Sequence, residues 1–175
     1  MVLVHTLEVF PSVDALNEAV GRAFLARLRS LIDEAQGRAR VNLAISGGAV
    51  ATSLLPSLLP RVGQVDWSRV RVWLVDERFV PAGHADRNDD QAWEGFFHAA
   101  SGVELVRMPT SDTSAPGGGC LDAATSAFEA TWTELMGTGS FDVALIGMGP
   151  DGHICSLFPG RVDLEEHSPI LAIRN

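Results

Sequence analysis

The sequence predicts an α/β domain built on a mostly parallel, twisted sheet with helices on both faces. Three observations predict it. Short apolar runs rich in β-branched residues alternate with stretches whose apolar residues recur at helical spacing. Three of the apolar runs end directly in small, acidic or basic residues, as strands that present a ligand crevice at their carboxyl ends do. No internal repeat and no linker interrupts the 175 residues, which read as one domain of ordinary size, 1–175. Such alternation implies right-handed crossovers and a Rossmann-like layering.

Val2 to Phe10 is apolar and β-rich and reads as a first strand. After Pro11 the residues Leu16, Val20, Phe24, Leu28 and Leu31 mark one face of a helix. Val41–Ile45 is a short buried-strand candidate ending at Ser46-Gly47-Gly48, and Val50 to Leu59 reads as a helix whose regularity Pro56 limits. Val70 to Val75 is a strand that ends at Asp76-Glu77-Arg78, and a polar loop follows through Pro81, His84, Asp86 and Arg87. Asn88 to Ala100 reads as helix, Val103 to Arg107 as a weak strand, and Ser111 to Gly119 as a loop without a packing pattern. Leu121 to Met136 returns to helical spacing through Ala124, Phe128, Trp132 and Leu135, and leads into a strand at Phe141 to Ile146. Pro169 to Arg174 is the last strand candidate. Nothing follows it to cover the sheet, so the domain is expected to lack a closing segment at its C-terminus; the alternative is an edge strand or a tail ending a complete domain.

Composition excludes several classes. Hydrophobic residues make up 46% and charged residues 20%, which fits a globular chain and neither wholesale disorder nor a coiled coil. No apolar run reaches the roughly 20 residues that span a bilayer, and the N-terminus lacks the pattern of a secretory signal. A cytoplasmic protein is expected. Thirteen Lys and Arg against 22 Asp and Glu give a formal charge of −9, which disfavours nucleic acid and anionic membrane as partners but leaves a small phosphorylated metabolite open. Cys120 and Cys155 form no disulfide or metal-type pair in the sequence and read as free thiols.

The chemistry concentrates at the three strand ends. Ser46-Gly47-Gly48 lets backbone N–H groups approach an anion at a helix N-terminus, although it has neither the spacing of a dinucleotide fingerprint nor that of a P-loop. Asp76-Glu77-Arg78 offers a guanidinium for a phosphate and, in Asp76, a carboxylate to bind sugar hydroxyls or orient a neighbour; a surface ion-pair cluster is the other reading. In Gly147-Met148-Gly149-Pro150-Asp151-Gly152-His153, His153 is the candidate general base, Asp151 either orients it or meets the substrate, and glycine N–H groups, those of Gly147 and Gly149 among them, are candidate oxyanion donors. Cys155, two residues after His153, leaves a Cys/His nucleophile open. His84, Asp86 and His153 could gather around an ion, but no recognised metal-ligand spacing is present, so no metal is expected.

These motifs resemble those of 6-phosphogluconolactonases, in the sugar-phosphate isomerase and deaminase-like superfamily. The resemblance rests on Ile45-Ser46-Gly47-Gly48, on Asp76-Glu77-Arg78-Phe79-Val80-Pro81 with Asp86-Arg87-Asn88-Asp89-Asp90-Gln91-Ala92, and on Gly147 to His153 with Ser156-Leu157-Phe158-Pro159-Gly160. It implies cofactor-free hydrolysis of 6-phosphoglucono-δ-lactone, with His153 deprotonating water, Arg78 and the Gly47-Gly48 turn holding the phosphate or sugar end, and Asp76 and Asp151 shaping the polar site. After Gly48 the family usually has a small hydroxyl residue or glycine, then threonine, then proline or a small residue, where this chain has Ala49-Val50-Ala51, and Ile154-Cys155 replaces the usual residues after His153. The family pattern normally continues beyond the counterpart of Ile170 to Asn175 into an arginine-bearing strand and a closing helix. A glucosamine-6-phosphate deaminase-like isomerase and a non-catalytic sugar-phosphate-binding module remain alternatives; Arg78 and Ser156-Leu157-Phe158-Pro159-Gly160 favour the lactonase. Oligomeric state is not legible in the sequence.

Overall fold

A computed structural model describes residues 6–35, 37, 40–113, 118–161, 165 and 168–174 of the chain. Helix α1 spans Val13–Glu34 and starts where Ser12, in extended conformation, accepts a hydrogen bond on its side chain from the Ala15 N–H. That bond satisfies one of the helix's orphan donors. Phe24, Leu25, Leu28 and Leu31 are buried on the inner face of α1. Strand β1 follows at Val41–Ile45. The stretch read as one helix from Val50 to Leu59 is broken into a π-helical turn, Val50–Leu54, a short α2, Leu55–Ser57, and a 3-10 turn, Leu59–Gln64. Pro56 and Pro60 each lack an N–H for a regular α-helical ladder, which accounts for the change of winding.

Strand β2 is Val70–Leu74, α3 is Asn88–Gly95, β3 is Glu104–Val106, α4 is Leu121–Leu135 and β4 is Val143–Leu145. All pairings are parallel, in the order β3-β2-β1-β4. Val41 pairs with Val70 and Leu43 with both Val72 and Val143. The chain lays down β1, β2 and β3 in one direction and returns to put β4 on the other side of β1, so the order reverses between β1 and β4.

Side-chain alternation along the strands sorts the core into two layers. Val41, Leu43, Ile45, Val70, Val72 and Leu74 pack with α1, α2, Phe96 and Phe97. Trp73 points the other way and meets α4 through Phe128 and Trp132, with ring centroids 6.3 and 5.2 Å away. Its indole N–H donates to Asn42 Oδ1 at 3.0 Å, so burial costs it no hydrogen bond. Helices therefore cover both faces, as the sequence predicts.

Further expectations need correction, beginning with the helix read at Asn88 to Ala100, which ends at Gly95 and gives way to a 3-10 turn at Phe97–Ala99. The strand read at Val2 to Phe10 is absent over its described part: residues 6–10 are irregular, and Leu7 and Val9 are exposed. Residues 1–5 lie outside the described residues. The strand read at Phe141 to Ile146 shortens to Val143–Leu145, with Asp142 pinned beside β1 by the Asn42 N–H, which donates to Asp142 Oδ2 at 2.8 Å. Residues 169–174 form no strand. Ile170 instead packs toward the Trp73–Phe128 layer, and the segment is tied to α4 by Ser168, which donates to Glu129, and by an Arg174–Asp122 ion pair. Its apolar side chains find cover against a helix, and no sheet edge is required.

Candidate active site

The three strand ends predicted to carry chemistry lie at the same edge of the parallel sheet. At the point where strand order reverses, the Gly147 N–H after β4 donates to Ser46 Oγ after β1 at 2.9 Å. Ser46 is buried, so this bond ties the two loops together from behind. Gly47 is required for close packing: a Cβ there would sit 1.9 Å from Asn88 Oδ1. The Asn88 amide in turn donates to the Asp76 carbonyl at 3.1 Å, which couples the loop after β1 to the loop after β2. Gly48 adopts φ +57°, a conformation that favours glycine.

A cavity of 590 Å³ opens over these loops. Asp76, Arg78, His153 and Ser156 supply its polar wall, and Phe128 of α4 with Ile170 and Leu171 its apolar wall. Of the residues singled out from the sequence, Asp76, Arg78 and His153 line this space; Ser46, Gly47, Gly48, Gly147, Gly149 and Asp151 stand outside its wall. Asp76 Oδ2 accepts from the Ser156 hydroxyl at 3.0 Å, joining the acidic strand end to the histidine loop.

His153 is held from several sides. Its Nδ1 lies 2.5 Å from Asp151 Oδ1, its ring rests against Phe158 with centroids 4.6 Å apart, and its carbonyl accepts from the Gly149 N–H at 2.8 Å. The hydrogen bond from His153 holds the Asp151 carboxyl below its ordinary pKa, so the partner of Nδ1 is a carboxylate. A carboxylate only accepts, so Nδ1 carries the proton and a neutral ring presents its lone pair at Nε2. Gly149 permits this packing, because a Cβ would fall 2.2 Å from the imidazole Cε1. The Gly147 and Gly149 N–H groups, expected as oxyanion donors, are both engaged, by Ser46 Oγ and the His153 carbonyl. Their role here is to fix the loop.

Cys155 stands on the cavity wall in a left-handed conformation, φ +53°. Burial, with the Asp76 charge second, pushes its thiol up to about 11. It is no thiolate near neutral pH, so the Cys/His nucleophile loses its chemical basis. His84 pairs with Asp86 and His153 with Asp151, and no group of three potential metal ligands gathers among the described residues.

Sequence reasoning passed over a buried ionic group in which Glu77 borders the cavity and Arg87 and Asp89 lie behind it. Glu77, next to two candidate residues, turns inward: its carboxylate accepts from the Asn88 and Asp89 N–H groups at 2.8 and 2.9 Å, capping α3 from a distant loop. Burial raises its pKa despite those bonds. Arg87 and Asp89 complete the group with a side-on, two-bond pair at 3.1 and 2.6 Å. For Asp89 burial alone would raise the pKa, but the bond to Arg87 and the Arg87 and Arg107 charges outweigh it and lower the value. The charge-dense run Asp86 to Asp90 was the available signal; burial of its middle was not visible.

Over residues 11–175 the sequence matches the family described as glucosamine-6-phosphate isomerases/6-phosphogluconolactonase. The chain belongs to that family. It is 34% identical to the 6-phosphogluconolactonase of Mycobacterium leprae, covering 97% of this chain and 70% of that protein. It is 33% identical to the 6-phosphogluconolactonase of Mycobacterium tuberculosis, covering 94% of this chain and 64% of the other. Among solved structures, the 6-phosphogluconolactonase of Shewanella baltica superposes with a TM-score of 0.69 at 28% identity, over 89% of this chain and 62% of that one. The Trypanosoma brucei enzyme, at 23% identity and a TM-score of 0.75 over 91% of this chain and 65% of that one, shares the fold. The chain thus spans between 62% and 70% of the length of these family members.

Proposed function

We propose that this chain hydrolyses 6-phosphoglucono-δ-lactone to 6-phosphogluconate, the hydrolytic step of the oxidative pentose phosphate pathway, with His153 as general base. One observation carries the reading: His153, with a carboxylate on Nδ1, faces the same cavity as the cationic Arg78 and the acidic Asp76. Ester hydrolysis asks for a held water, a base with a free lone pair, and an anchor for the rest of the substrate.

In this mechanism Arg78 pairs with the phosphate and Asp76, steadied by Ser156, meets sugar hydroxyls. Water attacks the lactone carbonyl while His153 Nε2 takes its proton, and the carbonyl π electrons move onto oxygen. The tetrahedral adduct collapses, the ring C–O bond breaks, and the imidazolium returns the proton to the leaving alkoxide. Asp151 keeps the ring oriented and stabilises its transient positive charge. Ser46, Gly47, Gly48, Gly147 and Gly149 hold the loops in register. No step requires a cofactor.

The partner in this reading is a small phosphorylated lactone, not a nucleic acid, consistent with the charge of −9. Among the described residues no helix is long and apolar enough to cross a membrane, and both cysteines are free thiols. The free thiols favour a cytoplasmic setting.

The test is acceleration of freshly generated lactone above its spontaneous hydrolysis, with His153→Ala beside the unaltered chain and 6-phosphogluconate binding followed in both. Loss of acceleration with retained binding supports the reading. An unaltered rate in His153→Ala removes His153 from the mechanism, and no acceleration by the unaltered chain overturns the activity.

A further inference from the structure

Arg87 is 2% exposed and does not reach the cavity, yet every one of its five N–H donors has an acceptor. Nε donates to Asp89 Oδ1 at 3.1 Å, and Nη2 to Asp89 Oδ2 at 2.6 Å and the Met108 carbonyl at 2.8 Å. Nη1 donates to the Pro109 carbonyl at 3.1 Å and the Arg78 carbonyl at 3.4 Å. One planar group thereby fastens three segments: the loop after β2, the start of α3, and the loop after β3. Arg78, Met108 and Pro109 all line the cavity. Glu77 closes the arrangement from the other side, 3.7 Å from Arg87 while capping α3.

We infer that Arg87 is a positioning residue for anion recognition: it fixes the backbone from which the exposed Arg78 side chain reaches the phosphate of the substrate. The inference rests on the proposed role of Arg78 and extends it to a residue that touches no ligand. Burying a guanidinium and two carboxylates costs several kcal/mol before pairing repays it. Apolar residues could fill the same volume, but they could not hold three carbonyls from two loops. An anchored backbone spares Arg78 part of the ordering cost of binding, so the expected signature is ground-state affinity for the phosphate and not the rate of the chemical step.

Arg87→Lys separates this role from mere support. Lysine keeps the charge but has three donors on a point-like head, so it cannot reproduce the five-bond plane. Calorimetry with 6-phosphogluconate, which needs no turnover, is run on the unaltered chain, Arg87→Lys, Arg78→Ala and the double variant, each shown to be folded by circular dichroism. Turnover of the phosphorylated lactone and of unphosphorylated glucono-δ-lactone is measured in parallel. The expected result is a loss of about tenfold in 6-phosphogluconate affinity for Arg87→Lys, the scale of one weakened charge-assisted hydrogen bond. That loss disappears when Arg78 is already alanine, KM rises for the phosphorylated lactone, and kcat and the neutral lactone are little changed. Unchanged affinity in Arg87→Lys, or equal losses with and without Arg78, overturns the inference while leaving the lactonase reading intact. Unchanged affinity in Arg78→Ala, or no binding by the unaltered chain, overturns the anion role of Arg78 and this inference with it. Should Arg87→Lys fail to fold, Asp89→Asn, which keeps one amide oxygen for Arg87 but loses the second, is carried through the same cycle, with every protein held folded in trimethylamine oxide and the same two outcomes.

Discussion

Replacing Gly149 by alanine adds one methyl group directly behind the imidazole of His153. The built Cβ lies 2.2 Å from Cε1, 2.4 Å from Nδ1 and 2.9 Å from Asp151 Oδ1, and moving the first of these to the 3.4 Å of ordinary contact takes 1.2 Å. Phe158 supports another side of the ring, and the His153 carbonyl is tied to the Gly149 N–H, so the displacement falls on the 2.5 Å Nδ1–Oδ1 bond. The backbone of Gly149 is not in the left-handed region, so the substitution introduces no conformational strain. A misplacement of about 1 Å costs on the order of 10²-fold, within the 10²–10⁴ that a general base contributes. The assay measures initial rates on freshly generated 6-phosphoglucono-δ-lactone, reading product through a coupled dehydrogenase and subtracting spontaneous hydrolysis. Gly149→Ala is expected to lose about 10² in kcat with little change in thermal midpoint, because the loop is only part-buried. Gly63→Ala, where a Cβ meets nothing within 4 Å, serves as the neutral control. A Gly149→Ala chain that accelerates hydrolysis as fast as the unaltered chain would refute the reasoning that the Asp151-held position of His153 matters.

Three further outcomes follow from the same geometry. Asp89→Asn leaves Arg87 buried with its charge poorly paired and is expected to destabilise by roughly 3–5 kcal/mol at neutral pH, measured by urea unfolding. The Asp89 pKa is lowered in the fold, so its contribution is fully present above the usual carboxylate value of 3.8 and is lost as pH falls through the lower folded value; a variant gap that persists undiminished at pH 2 would contradict this. Cys155, with its thiol near 11, is expected to resist iodoacetamide at pH 8 while the exposed Cys120 reacts, and Cys155→Ser should keep its turnover; mass spectrometry and the lactone assay check both. Ser46→Ala removes the acceptor of the Gly147 N–H where β1 and β4 meet and should cost about 1–3 kcal/mol in chemical denaturation, and a loss below a few tenths would show that the loop finds another acceptor.

The elements legible in the sequence are those whose signal is local. Val41–Ile45 and Val70–Leu74 are unbroken apolar runs, and the buried residues of α1 fall on the face that its spacing marks. Thr6 to Phe10 failed for the complementary reason: β pattern describes a readiness to pair, and over these residues the structure supplies no partner edge. Residues 169–174 failed because an apolar run reads alike whether a sheet or a helix covers it. At the site, the histidine loop announced itself through its glycines, whereas the Glu77–Arg87–Asp89 group did not, because the nine residues between Glu77 and Arg87 must fold back before its charges meet.

The class of fold, the excess of acidic residues, and the residue types available for proton transfer and anion binding follow from composition, periodicity and short motifs. Which of those residues share a cavity, which N–H groups are already spent, and which charges are buried follow from the folded chain alone. Those outcomes depend on contacts between residues far apart in the chain: Ser46 with Gly147, Asp76 with Ser156, and Arg87 with the carbonyls of two loops. Burial, which sets the direction of the Glu77 and Cys155 pKa values, exists only once those contacts have closed.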